Sequence, residues 1–85
     1  MKDVYIVRND RINGDNFDIA MYFNEADALK SARVEWNHMT ESEQRKNIVS
    51  VNGYKVPKSV NTLDDFQNAL EIDPIDPFFY VEVNE

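Results

Sequence analysis

The residues of this sequence best suited to catalysis or metal binding are its single histidine and the glutamate three positions before it. Glu35 and His38 are three positions apart, which places both side chains on one face of a helix. A Glu-x-x-His pair is half of the di-iron carboxylate motif, which also needs a second such pair and two further glutamates from other helices. The sequence contains no second pair. We therefore expect His38 to lie at a helix end and to interact with terminal carbonyl groups.

Other catalytic and metal-binding patterns fail on spacing. Residues 9–15 resemble the start of a calcium loop with Gly14 at its sixth position, but Arg11 then takes the third ligand position and Ala20 replaces the bidentate glutamate. None of the serines has a spacing relation to His38 that indicates a nucleophile and its base. Two glycines do not make a phosphate-binding loop. We predict no catalytic residue, no metal site and no cofactor.

The acidic residues are unevenly distributed along the chain. Residues 1–58 contain nine Lys/Arg and nine Asp/Glu, whereas residues 59–85 contain seven acidic residues and no basic one, so the net charge of −7 arises in the last third. Such a surface repels nucleic acids and anionic membranes and attracts basic protein surfaces. We expect a basic protein partner, with no direct contact to nucleic acid or membrane. The predicted partner-binding surface consists of Asp64, Asp65, Glu71, Asp73 and Asp76.

A plainer interpretation of these acids stays open. Asp64 and Asp65 are typical of the first turn of a helix, where the helix dipole favours negative charge. Asp73 and Asp76 are typical turn residues beside prolines. The acidic third would then serve only to keep a small protein in solution.

Aromatic residues suggest a second interaction surface. Tyr22, Phe78 and Tyr80 fall in predicted strands, and a sheet covered by helices on one face leaves aromatic side chains on the other. Exposed aromatic rings contribute contact area at low entropic cost, which suits a homodimer interface. The alternative is that neighbouring strands and loops partly bury them.

The elements that must position these residues are organised around residues 24–47. Asn24 is a good N-cap, and Leu29, Ala32, Trp36 and Met39 recur at helical spacing, so we predict a long amphipathic helix with Trp36 at the centre of the core. Thr40 and Glu43 have the form of a capping box, which predicts a short second helix ending near Asn47.

The flanking segments indicate strands and a third helix. Residues 4–7 and 17–23 predict a hairpin joined by a loop over residues 8–16, with Phe17, Ile19, Met21 and Phe23 on the core face. Residues 48–51 and 54–56 are β-prone and flank Asn52-Gly53, which predicts either a hairpin or one bulged strand. Thr62 caps a third helix over residues 63–72 with Leu63, Phe66 and Leu70 on one face, residues 73–77 form a stiff connector, and residues 78–83 form the last strand.

The order is therefore β-β-α-(α)-β-(β)-α-β within one domain spanning residues 1–85. It predicts an α+β fold whose mainly antiparallel sheet of four or five strands carries its helices on one face. Cysteine is absent, and no apolar run is long enough for a signal peptide or a membrane span, so we expect a cytoplasmic protein.

One stretch carries a resemblance. The segments EADALKSA, EWNHMT and EQRKN within residues 25–47 resemble a pattern in small uncharacterised proteins of Gram-positive bacteria and their phages and mobile elements. The resemblance covers about residues 17–50, brings no known activity and assigns no functional residue. Small acidic α+β proteins of that setting often resemble inhibitors of host defence, such as anti-CRISPR or anti-restriction proteins, which occupy nucleic-acid-binding surfaces by charge mimicry.

The resulting expectation is a non-enzymatic protein-binding module, most simply an inhibitor encoded by a phage or mobile element. Its acidic surface would dock on a basic groove of a nucleic-acid-handling protein. The alternative is a homo-oligomeric structural or accessory protein that associates through the aromatic face of the sheet.

Overall fold

The chain folds around a four-stranded sheet. In the computed structural model, the backbone is described for residues 1–82 and the side chains for residues 1–75. Within that part of the chain, four strands and three helices follow one another: β1 (Lys2–Arg11), β2 (Asn16–Tyr22), α1 (Glu25–Asn37), α2 (Glu41–Lys46), β3 (Asn47–Val56), α3 (Leu63–Asn68) and β4 (Asp73–Glu82).

The sheet has the order β2-β1-β3-β4, and every neighbouring pair is antiparallel. The two central strands, β1 and β3, pair without interruption from Lys2 opposite Val56 to Arg11 opposite Asn47. The predicted α+β class, the antiparallel sheet and the order of elements are confirmed, and the strand number is four. Among residues 1–82, no helix is both long and apolar enough to cross a membrane.

The first hairpin differs from the prediction in its loop. Arg8 to Arg11 continue β1 instead of opening a loop, and only residues 12–15 form the turn. Gly14 has φ of +146°, a conformation that favours glycine, and its N–H donates to the Arg11 carbonyl at 3.1 Å. The prediction of a loop was wrong because it treated Asn and Asp as loop residues. In the structure these residues pair with the neighbouring strand on each side.

Residues 47–56 form one strand and not two. Asn52 and Gly53 lie inside β3, and neither has the positive φ that a type I′ hairpin turn requires. The irregularity is a register shift between Asn52 and Tyr54 in the pairing with β4, while the pairing with β1 stays regular. Of the two predicted alternatives, the single bulged strand is therefore the one observed.

The helix starts follow the predicted capping residues. The Asn24 side chain accepts a hydrogen bond from the Asp27 backbone N–H at 2.9 Å. Thr40 and Glu43 form a reciprocal capping box at the start of α2. Because each cap satisfies backbone donors that the first helical turn leaves unpaired, the starts of these helices are encoded locally.

Alternating residues of β1 divide the core between the two faces of the sheet. On one face, Val7 packs with Val49 and Val51 against Ala28 and Ala32 of α1. On the other face, a second cluster contains buried residues of β1, β3, the β3–α3 connection and α3: Val4, Ile6, Val56, Val60 and Phe66. The helices are thus split between the faces, with α1 on one and α3 on the other, because residues that alternate along a strand point to opposite sides.

Several predicted core positions are more exposed than expected. Trp36 is half-buried at the margin of the α1 cluster, and the largest fully buried side chains that the structure describes are Ile6 and the valines of β1 and β3. In β2, Phe17 and Ile19 are exposed, and only Met21 of the predicted core face packs against a buried cluster. A register shift opposite Val7 and Arg8 breaks the alternation of β2, which explains why its period-two pattern does not correspond to one buried face.

The segment before the last strand is also reassigned. Residues 73–77, predicted as a connector, belong to β4, where Pro74 lies opposite Tyr54 of β3. Because β4 is an edge strand, a proline there does not interrupt a ladder on its outer side.

Candidate functional site

The predicted acidic surface begins at the start of α3. Asp64 and Asp65 are both exposed in the first helical turn. The Asp65 carboxylate accepts hydrogen bonds from the backbone N–H groups of Asn61 at 3.0 Å and Thr62 at 3.2 Å, while the Thr62 hydroxyl accepts from the Asp65 N–H at 3.0 Å. Asp65 is therefore engaged in capping its own helix, and Asp64 is the acid of this pair that faces solvent without such a role.

The charge of Asp65 is stabilised by its surroundings. Its pKa lies below the usual aspartate value, mainly because the Asn61 N–H donates to the carboxylate and further because Thr62 and the positive charge of Lys2 favour the anion. Lys2 is close because its ammonium donates to the Asn61 side chain at 2.9 Å. A basic residue from the first strand thus lies beside the acidic helix.

An unusually exposed apolar side chain lies in the connection from α3 to β4. α3 ends at Asn68, four residues earlier than predicted, and Leu70 is consequently 100% exposed. The Asn68 side chain donates to the Asp64 carbonyl at 3.0 Å and Ala69 adopts an extended conformation, so the helix does not continue. Leu70 and the exposed Glu71 border an open groove of about 450 Å³ between residues 57–60 and the end of α3.

The remaining predicted acids lie on β4. Asp73 is exposed and pairs in register with Lys55 of β3, and Lys55 in turn pairs with Asp3 of β1, whose carboxylate lies 3.4 Å from the lysine ammonium. Asp3, Lys55 and Asp73 thus lie side by side on three neighbouring strands. The side chain of Asp76 lies outside the described residues.

The structure therefore keeps part of the predicted acidic set exposed along one segment. Asp64, Glu71 and Asp73 are exposed within residues 64–73 together with Leu70, and we call these four residues the Leu70 surface. Of these three acids, Glu71 is the one that borders the same groove as Leu70. Lys2 and Lys55 lie next to this surface, although the last third of the sequence contains no basic residue.

The predicted aromatic set is not brought together. Tyr22 lies on the β2 edge strand and is half-buried against the α1 cluster. Phe78 and Tyr80 belong to β4 at the opposite edge, so two strands separate them from Tyr22, a distance of roughly 14 Å at about 4.8 Å per strand. Their side chains lie outside the described residues. The apolar side chains exposed along β2 are instead Phe17 and Ile19.

Sequence reasoning missed a charged cluster on the sheet. Arg8 Nε lies 3.0 Å from Asp18 Oδ1 and 4.0 Å from Asp10 Oδ1, and the side chain of Asp18 is only 20% exposed. The approach to Asp18 has the distance of an ion pair without the geometry of a hydrogen bond. No alternation in the sequence signals this extension of β1, because residues 4–7 are a continuous apolar run followed directly by charged and polar residues. Because Arg8 and Asp18 mainly contact each other, we assign this ion pair a structural role.

The rejected chemical candidates lie apart from this surface. His38 is exposed at the C-cap of α1, where its backbone N–H donates to the Val34 carbonyl at 3.1 Å. Among the residues the structure describes, no group of three histidine or acidic side chains is placed to hold a metal ion.

Comparisons with known proteins do not assign the chain to a family. No protein-family profile matches the chain, and neither the curated proteins nor the solved structures compared with it give a match. The function must therefore be argued from the residues themselves.

Proposed function

We propose that this chain is a non-enzymatic protein-binding module whose Leu70 surface docks on a basic surface of a nucleic-acid-handling protein. The observation that carries the proposal is the complete exposure of Leu70 beside acidic side chains. In a small domain a leucine held entirely in water contributes nothing to the core. Burying it on a partner is worth about 1.5–3 kcal/mol of binding free energy.

The acidic neighbours indicate the chemistry of the partner. Glu71 follows Leu70 directly and borders the same groove, and the exposed Asp64 and Asp73 lie six and three residues from Leu70 along the chain. Such an arrangement favours a partner with Lys or Arg around an apolar depression, and the charges act mainly on the association rate and on specificity. A groove that normally binds nucleic acid has the required charge, which supports an inhibitor that competes with nucleic acid.

The finer parts of the proposal concern the biological setting. In keeping with the resemblance in residues 25–47, we propose that the module is encoded by a phage or mobile element, acts in the host cytoplasm and inhibits a defence protein. Nothing in this setting requires catalysis by the chain.

The test compares two variants with the same change of net charge. The site variant combines Asp64→Asn, Glu71→Gln and Asp73→Asn, and it spares Asp65 because that residue caps α3. The control variant neutralises three exposed acids elsewhere, namely Asp15, Glu25 and Glu41. Tagged proteins would be used to capture partners from host lysate at low and high salt, with quantification by mass spectrometry.

We expect the wild type and the control variant to capture the same nucleic-acid-binding protein, the site variant to lose it, and added nucleic acid to displace it. Leu70→Ala should weaken that complex by about 10-fold to 150-fold, corresponding to the loss of the leucine burial. Equal capture by the site and control variants would show that this surface is not the binding site.

A second candidate function rests on a different observation. β2 is an edge strand on which Phe17 and Ile19 are 50% and 37% exposed, so a homo-oligomer would associate along β2 and not through the predicted Tyr22, Phe78 and Tyr80 set. The bulge in β2 opposes a long ladder with a second copy, because bulges twist an edge away from pairing. A dimer in sedimentation that persists at high salt and is lost on Ile19→Lys would favour this candidate, and a monomer at high concentration would remove it.

A further inference from the structure

A second concave feature lies at the other end of the sheet, where the β1–β2 turn meets α2. It is a pocket of about 370 Å³ lined by Arg11, Asn13, Ser42, Glu43, Lys46 and Asn47. We call it the hairpin–α2 pocket. None of these residues belongs to the Leu70 surface, so any ligand here is independent of the proposed partner.

The pocket walls are fixed by backbone hydrogen bonds. The Ile12 N–H donates to the Lys46 carbonyl at 2.9 Å and so joins the tip of the hairpin to the end of α2. Within the turn, the Arg11 N–H donates to the Asp15 carbonyl at 3.0 Å. Arg11 also lies opposite Asn47 in the β1–β3 ladder. Three elements therefore hold the backbone around the pocket without help from a ligand.

The charge of the pocket is positive although the protein is acidic. Arg11 and Lys46 form no ion pair with any residue that the structure describes, whereas Arg8, Arg45 and Lys55 each have an acidic partner there. The Arg11 guanidinium lies 5.9 Å from the centre of the Phe17 ring, a cation–π distance that restricts its orientation. Two cationic side chains thus converge without an anion to neutralise them.

The one acid in the lining is committed to another role. Glu43 Oε1 accepts a hydrogen bond from the Thr40 backbone N–H at 3.0 Å as part of the α2 capping box. Its pKa is lowered mainly by that backbone hydrogen bond, so it remains an anion and keeps the capping contact. Against the two cations, the pocket keeps a net charge of about +1 by formal counting.

Asn47 forms part of the pocket wall and does not contact the ligand. Its amide nitrogen donates to the Glu43 carbonyl at 2.7 Å, which fixes the side chain, and its oxygen Oδ1 is buried out of reach of a ligand in the pocket. The ligand should therefore be recognised by its anionic oxygens at Arg11 and Lys46.

We propose that the hairpin–α2 pocket binds a phosphate group, either free phosphate or the phosphate of a small phosphomonoester. Its anionic oxygens lie against Arg11 and Lys46. A phosphomonoester is largely dianionic near neutral pH, because its second pKa is about 6, so one phosphate group can pair with both cations. Sulfate has a similar shape and charge and should occupy the same pocket.

The experiment is an NMR titration of the ¹⁵N-labelled full chain at pH 6.0 with inorganic phosphate, glycerol 3-phosphate or sulfate at constant ionic strength. We expect saturable shifts confined to amides of residues 11–14 and 42–47. Sulfate should shift the same amides, because Arg11 and Lys46 recognise the charge and shape of the anion. Tighter binding of glycerol 3-phosphate than of phosphate would identify a phosphomonoester as the ligand, and the reverse order would identify free phosphate.

A charge-matched pair of variants supplies the control. Arg11→Gln with Lys46→Gln should weaken phosphate binding at least about tenfold, since charge-assisted hydrogen bonds are the strong ones. Lys30→Gln with Lys58→Gln, which alters exposed cations outside the pocket, should leave it unchanged. If the double variant Arg11→Gln with Lys46→Gln unfolds, Lys46→Gln alone is used as the test variant. Shifts that do not saturate, or equal shifts in the two double variants, would overturn the proposal.

Discussion

Leu70→Ala distinguishes the observed structure from the pattern in the sequence. If α3 continued through residue 72 with Leu70 on its buried face, truncation to alanine would cost about 2–5 kcal/mol of folding free energy. In the structure α3 ends at Asn68 and Leu70 is 100% exposed. The expected change is therefore within about 0.5 kcal/mol, as for surface substitutions in general. For a domain of this size that corresponds to a change in Tm of about 2–4 °C at most.

The assay is equilibrium unfolding in urea followed by the fluorescence of Trp36, the single tryptophan, which packs at the margin of the α1 cluster on the sheet face opposite α3. Phe66 supplies the positive control because it is 7% exposed and belongs to the buried cluster on the α3 face. Phe66→Leu should cost roughly 1 kcal/mol or more, within the usual range for core substitutions, and it avoids the unfolding expected of Phe66→Ala. A loss of more than about 1 kcal/mol in Leu70→Ala would place Leu70 in the core, and the proposed binding surface would lose its apolar anchor.

Three further changes test the caps and the core. Thr62→Ala should lower the free energy of unfolding by about 0.5–2 kcal/mol, measured in urea, because it removes the N-cap of α3. Asp65→Asn should reduce the difference between stability at pH 7 and at pH 3. The lowered pKa of Asp65 gives stability that is present above the ordinary aspartate pKa of 3.8 and is lost as pH falls through the folded pKa. Equal pH profiles of Tm in the variant and the wild type would contradict that cause. Ile6→Val should cost about 0.5–1.5 kcal/mol in thermal unfolding, since Ile6 is fully buried on the α3 face, and a neutral result would contradict the packing described for that face.

Local features were predictable because they depend on neighbours in sequence. The caps at Asn24, Thr40 and Thr62 are all observed, and each is a short-range hydrogen bond between a side chain and a backbone N–H two or three residues on. The order of elements and the antiparallel sheet follow from the same short-range signals, since turns and caps punctuate the chain.

Features that depend on distant partners were not predictable. Asn52-Gly53 favours a hairpin by itself, but both residues pair with the uninterrupted strand β1, and this pairing keeps β3 extended. Arg8 belongs to a strand because Asp18 of β2 provides a charged partner beside it. In both cases a contact between distant parts of the chain outweighs the local preference, as strand propensities allow.

The same limit applies to the candidate site. The sequence grouped the acids as one predicted surface, but it could not show that Asp65 is used as a helix cap or that Leu70 lies outside the helix. The exposure of Leu70 depends on where α3 ends, and element ends are the least certain part of any sequence-based assignment.

The distribution of charge shows most clearly how topology changes the function inferred from the sequence. All of the net charge lies in residues 59–85, yet the pairing of β1 with β3 places Lys2 beside the end of β3, next to Asp65, and the pairing of β3 with β4 places Lys55 beside Asp73. Exposed charges at these distances partly cancel, and salt screens the remainder beyond about 8–10 Å. A purely electrostatic mimic of nucleic acid would need a denser negative surface than this. The proposed complex would therefore draw much of its binding free energy from burial of Leu70, with Asp64 and Glu71 selecting a basic partner. The complex should weaken with salt, but Leu70→Ala should weaken it more than the neutralisation of either acid alone.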